Sequence, residues 1–183
     1  MSADNQTIEH VVLLNVKDGT DSTKITSMID AINCLNSLDQ VLYLTVGPIH
    51  KIQSSSSSFN FTHFVHGRFK TKQDLNEYHI HSNHVSVLNE FVLPICDDIM
   101  VVDWISNLED PLVPKSGSAM KVKLLKLKED LGENEKIEVL DAIGKTMNDD
   151  SIEQISFALD SNHEEKVKDL LESEIVLDYV VLM

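Results

Sequence analysis

The sequence predicts an α+β fold: a four-stranded antiparallel sheet with helices on one face, followed by a shortened copy of the same unit. Three observations carry that reading. The first is a repeat: His10-Val11-Val12-Leu13-Leu14-Asn15-Val16-Lys17 returns as Lys121-Val122-Lys123-Leu124-Leu125-Lys126-Leu127-Lys128, 111 positions on. The same shift places Ile29-Asp30-Ala31-Ile32 on Leu140-Asp141-Ala142-Ile143, and residues 41–46 on 152–157. The second is a deletion. Ser82-Asn83-His84 matches Ser161-Asn162-His163 at a shift of 79, and Val102-Asp103-Trp104 matches Leu177-Asp178-Tyr179 at 75. The later copy therefore lacks a counterpart of residues 49–80. The third is the order of hydrophobic periods in the first copy, which alternates between strand-like and helix-like spacing as β-α-β-β-α-β.

Residues 8–17 are rich in Val and Leu and stop at Asp18-Gly19, a turn dipeptide, which predicts a strand. Over 22–37, Ile25, Met28, Ile29, Ile32 and Leu35 recur at helical spacing, with Ser22 or Thr23 as N-cap. A second strand is expected over 41–46, ended by Gly47-Pro48, and the serine run 54–58 reads as a flexible loop. Residues 59–69 resume a two-residue period, with Phe61, His63, Val65, Gly67 and Phe69 on one face and Thr62, Phe64, His66 and Arg68 on the other. Thr71 with Asp74 forms a capping pattern for a short helix through Tyr78. Ser82 or Asn83 caps a further helix through Phe91 toward Cys96, bent or ended by Pro94, and residues 99–104 form the last strand. This is the ferredoxin-like order.

Residues 107–119, with two prolines, a glycine and small polar residues, read as a linker between a unit at 8–106 and a truncated repeat at 120–183. In that repeat the pattern predicts strands at 121–128, 152–157 and 175–182 and helices at 134–147 and 161–172. So small a unit is marginal alone and should need docking on the first unit or on another chain. Along 8–17, His10, Val12, Leu14 and Val16 face one way and Val11 and Leu13 the other. A sheet apolar on both faces needs helices over one and a second sheet over the other, with any cavity expected at the seam between paired sheets.

The chain carries 30 acids against 15 bases, a formal net charge of −15 spread over both halves. Such a surface repels phosphate backbones and anionic lipid, so nucleic acid is excluded as a partner. No apolar run reaches the length of a membrane span and no signal sequence opens the chain, which makes cytosol the expected compartment. Cys34 and Cys96 both fall in stretches read as helix and are expected as buried free thiols.

Glu9-His10-Val11-Val12-Leu13-Leu14, Lys17-Asp18-Gly19, Phe61-Thr62-His63 and Tyr78-His79-Ile80-His81-Ser82-Asn83-His84, followed by a strand ending Val102-Asp103-Trp104, resemble the stress-responsive dimeric alpha/beta barrel family of plants. The resemblance covers residues 8–106 and, as a degenerate copy, 120–182. It implies sheets packed face to face, either in a homodimer or between the two repeats of one chain. Members similar to it include heat-stable antifungal proteins, tandem-barrel stress proteins and olivetolic acid cyclase, so a stress or defence role, including antifungal action, is the implied function. The alternative is a cyclase-like enzyme closing a linear polyketide by intramolecular aldol chemistry.

By the same resemblance, Tyr78 and His84 match the cyclase's acid/base pair, and His10, His63 and Val65 match positions lining its pocket for a small apolar ligand. The chemistry suits the residue types: an imidazole can take an acidic carbon-bound proton near neutral pH, and a phenol can hold the oxygen on which charge develops. Departures from the cyclase fall near Ile32, at Ser82 and at Ser86, Val87, Leu88 and Asn89, so its substrate does not carry over. The second repeat has Lys121 in place of His10 and keeps only His163, so it should be catalytically empty. His81 and His84 lack further zinc ligands in the sequence. No cofactor is required; a structural magnesium on carbonyls of the turn 36–40, with Asp39 as an added donor, is implied by the family alone.

Overall fold

A computed structural model describes residues 7–54, 60–106, 108, 111–124, 134, 154 and 175–180. The elements run β1 (Ile8–Val16), α1 (Ser22–Cys34), β2 (Val41–Ser54), β3 (His63–Phe69), α2 (Lys72–Ile80), α3 (Ser82–Val87), β4 (Cys96–Ile105), β5 (Ala119–Leu124) and β6 (Ile175–Val180). The fold is ferredoxin-like α+β. The sheet order is β4-β1-β3-β2-β6-β5, with these neighbours all antiparallel, so the expected four-stranded antiparallel sheet of the first unit is ordered β4-β1-β3-β2. The helices and strand expected at 134–147, 161–172 and 152–157, and the serine loop over 55–58, lie outside the described residues.

Helix α1 begins one residue before the expected caps: the Asp21 side chain accepts from Thr23 N at 2.8 Å. Asp outperforms Ser or Thr here because its carboxylate also meets the positive end of the helix dipole. The helix ends at Cys34 and tightens into one 3-10 turn, Leu35–Ser37, with Met28, Ile32 and Leu35 buried toward the sheet. Before it, Asp18-Gly19 turns the chain as expected, Gly19 taking φ of +75°, a conformation costly for residues with a Cβ.

Three expectations are corrected. Strand β2 does not end at Gly47-Pro48 but runs on to Ser54, because it changes partners there. Up to Pro48 it pairs with β3, and from Ile49 it pairs with β6, so a proline that cannot donate to a ladder stands where one ladder stops. Phe61 lies before β3 rather than in it, and it joins Phe64 on the face away from the helices instead of sharing a face with His63. Neither cysteine is a buried helical thiol: Cys34 is exposed at the end of α1, and Cys96 opens β4, half-buried, its thiol pushed up to about 11 by burial.

Each sheet face has its own core. Under the helices lie Ile8, Leu14, Val16, Leu44, Val46, Val65 and Phe69, packed on Met28, Ile32, Leu75, Tyr78 and Val92. On the opposite face Val11, Leu13, Phe61 and Phe64 pack against Ile49, Met100 and Trp104, and against Met120 and Val122 of β5. Beside that second core sits a buried polar group. Glu9 accepts from His66 Nε2 at 2.6 Å and from Arg68 Nε at 2.8 Å, and Arg68 Nη1 donates to the Leu112 carbonyl at 2.7 Å. Burial would raise the Glu9 carboxyl, but the His66 and Arg68 hydrogen bonds and charges outweigh it and hold it below the usual range.

Candidate functional site

The cavity lies inside the first unit, between the helical face of the sheet and α1, α2 and α3, and not at the expected seam between sheets. Its volume is about 290 Å³. Val12 and Leu14 from β1, Val65 from β3, and Ile99 and Val101 from β4 form its floor. Ile32, Leu35, Val87 and Leu88 contribute to its aliphatic roof. The sheet is covered twice, yet the face under the helices is incompletely filled because the segment after α3 is loosely wound. Residues Leu88–Val92 form a π-turn, with Leu93 N donating to Leu88 O at 2.9 Å. Such turns widen a helix and recur at functional sites. Leu93, half-exposed, is also part of the wall.

One wall is polar. His10, Tyr78, His79 and His84 all reach the cavity. Their rings are close: Tyr78 to His84 4.4 Å between centroids, His10 to His79 5.3 Å, His79 to His84 5.8 Å and His10 to Tyr78 6.3 Å. The break between α2 and α3 assembles this wall. His81, extended at φ −62° and ψ 133°, is C-cap of one helix and N-cap of the next, its Nδ1 accepting from Asn83 N at 3.2 Å. This replaces Ser82 or Asn83 as the expected cap. The Thr71–Asp74 capping pattern that starts α2 is present as expected, with Asp74 N donating to Thr71 Oγ1 at 3.0 Å.

The hydrogen bonds fix tautomers. His84 Nδ1 lies 3.1 Å from the His79 carbonyl, which can only accept, so that nitrogen carries the proton and Nε2 of the neutral ring is bare. His10 Nδ1 lies 2.5 Å from Asp103 Oδ1, and the same logic puts a proton on Nδ1, so the neutral tautomer of this ring is the one with Nε2 bare. Burial pushes His79 and His84 below the ordinary imidazole value, with nearby His10 adding to the effect in both; at His84 the bond to the His79 carbonyl acts in the opposite direction. Burial likewise holds the Tyr78 phenol well above its usual range, so it stays a donor. The wall therefore presents imidazole rings whose Nδ1 atoms are engaged, and one phenol donor, to an aliphatic space.

Of the five expected site residues, His10, Val65, Tyr78 and His84 line this cavity and His63 does not. His63 is buried at the start of β3, its Nδ1 2.9 Å from Thr62 Oγ1, and burial lowers its pKa. Two residues were missed. His79 adjoins Tyr78, and both reach the cavity because it is wide. Asp103 stood in the repeated Val-Asp-Trp, and its pairing with His10 needed the β1–β4 register. Ile32, Val87 and Leu88, three of the departures from the cyclase, lie on the wall.

His81 and His84 are engaged with backbone as helix caps and braces, and no cluster of three or more His, Cys, Asp or Glu suited to a metal exists among the described residues.

The stress-responsive A/B barrel domain model matches residues 8–106. The chain is 49% identical over 140 residues to a stress-response A/B barrel domain-containing protein of Arabidopsis thaliana, covering 76% of this chain and 52% of that protein. It is 44% identical over 151 residues to a second stress-response A/B barrel domain-containing protein of the same plant, covering 81% and 70%. The chain thus spans about half the length of the first of these relatives. Among solved structures it resembles the hydroxynitrile lyase of Passiflora edulis, at 20% identity and a TM-score of 0.49, over 58% of this chain and 99% of that one. The motifs and the sequence matches agree: the chain belongs to the stress-responsive A/B barrel domain family.

Proposed function

We propose that this protein binds a small, uncharged, largely apolar molecule bearing one or two oxygens, in a stress or defence setting. One observation carries the reading: His10, Tyr78, His79 and His84 gather on a single wall of a cavity whose other named walls are aliphatic. Apolar enclosure with a few converging polar groups is the usual make-up of a small-molecule site, and the volume suits a ligand at the small end of the range of roughly 300–1,000 Å³. Thermal-shift and calorimetric titration with aryl ketones and phenols tests it. Binding is expected in wild type and lost in Val65→Phe, which fills the floor; no binding across the panel would sink the reading. The antifungal component is tested by fungal growth, inhibited by wild type and not by Val65→Phe.

A second reading is cyclase-like acid/base chemistry by Tyr78 and His84, supported by their 4.4 Å ring contact and the bare Nε2 of His84. Product profiles from linear polyketides, compared with His84→Ala, decide it. Pairing of the two repeats within one chain is a further part of the proposal, supported by the β2–β6 ladder and by Met120 and Val122 on the second core. A cytosolic setting is supported by two free thiols. No helix among the described residues is long and apolar enough to cross a membrane.

A further inference from the structure

We propose that His10 and Asp103 form a general-base couple that removes a carbon-bound proton beside a carbonyl, in a neutral ketone held within the cavity. The inference rests on the ligand-binding reading of this cavity and places the base at His10 and Asp103, where the cyclase-like reading places it at His84.

Three observations carry it. His10 is buried, yet its Nδ1 has a carboxylate at 2.5 Å, while its ring reaches the cavity. The arrangement fixes the tautomer with Nε2 bare, and the carboxylate offsets the charge formed when that nitrogen takes a proton. His84 has only a carbonyl on its Nδ1, so its imidazolium gains less. Second, Gly67 stands opposite His10 in the β1–β3 register and leaves space beside the ring, where a Cβ would make an ordinary contact with His10 Cδ2 at 3.6 Å. Third, the corresponding pair in the later copy is Lys121 opposite Asp178, related to His10 opposite Asp103 by the same shifts of 111 and 75. The carboxylate position persists while the imidazole is lost, so the base couple is specific to the first unit.

The step balances within the site. His10 Nε2 takes the proton from the carbon next to the carbonyl, and the C–H electron pair forms the C=C bond as the carbonyl π pair moves onto oxygen. The Tyr78 hydroxyl donates to that oxygen as charge develops. The groups that face His10 are Asp103 from β4, Tyr78 and His79 from α2, and His84 from α3. Return of a proton, or of a deuteron in heavy water, regenerates the ketone and the neutral couple.

Acetophenone, an apolar ring with one carbonyl and an enolisable methyl group, serves as the probe. Its methyl protons are followed by NMR in heavy water with the full-length chain, alongside calorimetric affinity. Wild type is expected to accelerate exchange. Asp103→Asn should lower the saturated rate by about 10²-fold, the lower end of general-base contributions, while the half-saturating concentration changes less than about twofold. In ¹⁵N spectra His10 should be the Nδ1–H tautomer in wild type and a mixture in Asp103→Asn, which a purely structural role for the carboxylate on folding would not produce. Because Asp103 is only partly buried, its variant avoids the packing loss that His10→Ala risks. Binding without accelerated exchange, or an Asp103→Asn rate equal to wild type, overturns the base couple and leaves the binding reading standing. Absence of binding overturns both.

Discussion

Gly67 shows how one missing side chain shapes the site. A Cβ at this position would meet Leu44 Cδ1 and Phe69 Cε2, each at 3.2 Å, and His10 Cδ2 at 3.6 Å. Gly67→Ala forces Leu44 and Phe69 to give by a few tenths of an ångström in a filled layer, while His10 stays in ordinary contact, so we expect a loss of about 1–3 kcal/mol, typical of overpacking, together with weaker ligand binding through Phe69, which packs on Tyr78. Urea unfolding and calorimetry check both. The buried rings give a second prediction. The folded-state pKa values of His79 and His84 lie below the ordinary 6.5, so these groups are neutral in the native state where an unfolded chain has begun to protonate. Their contribution is complete above about pH 6.5 and is lost as pH falls toward the depressed folded values. Glu9, also depressed, contributes above its ordinary 4.5 and fails only as pH falls through its lower folded value. Melting temperature should therefore decline in two stages on acidification. His79→Gln with His84→Gln should reduce the first stage to the share of buried His63, whose pKa is also lowered, and leave the second; an unchanged profile would refute the assignment.

At the scale of elements, what could be read from the sequence was whatever depends on neighbours along the chain. The Thr71–Asp74 cap is local chemistry, visible in four residues, and it is present. It also sets the start of the helix that carries Tyr78 and His79. Thr71→Ala should cost about 1 kcal/mol, within the range for lost N-caps, and weaken binding by loosening that helix; equilibrium unfolding and titration read the two effects. The end of β2 was not legible, because its continuation past Pro48 depends on β6, which lies far along the chain at Ile175–Val180. The same holds for the site. Tyr78 and His84 lie in one short stretch and could be grouped in advance, whereas the His10–Asp103 bond spans 93 positions and exists only through strand register. His63 misled for a related reason: it shares a face with Val65, but the cavity stops short of the end of β3.

The whole molecule poses a question of cover. Val11, Leu13, Phe61 and Phe64 make a buried apolar patch on the side of the sheet away from the helices, and within this one chain Met120 and Val122 lie on it. The linker is tied down beside them, with the Leu112 carbonyl accepting from buried Arg68 and Leu112 N donating to Gln154 Oε1 at 2.8 Å. His66 adds to the fixity through its buried Nε2 bond to Glu9 at 2.6 Å. In the proposed pairing of the two repeats, β6 on the β2 extension and β5 on the apolar patch take the place of a second copy. The expected solution mass is thus that of one chain, 20.6 kDa. Met120→Glu with Val122→Glu places two carboxylates against an apolar core. It should release the later strands, expose the patch and shift the mass upward through self-association. Light scattering on both proteins settles the matter: a wild-type dimer, or a double variant that remains a stable single chain, would show that something other than this repeat shields the patch.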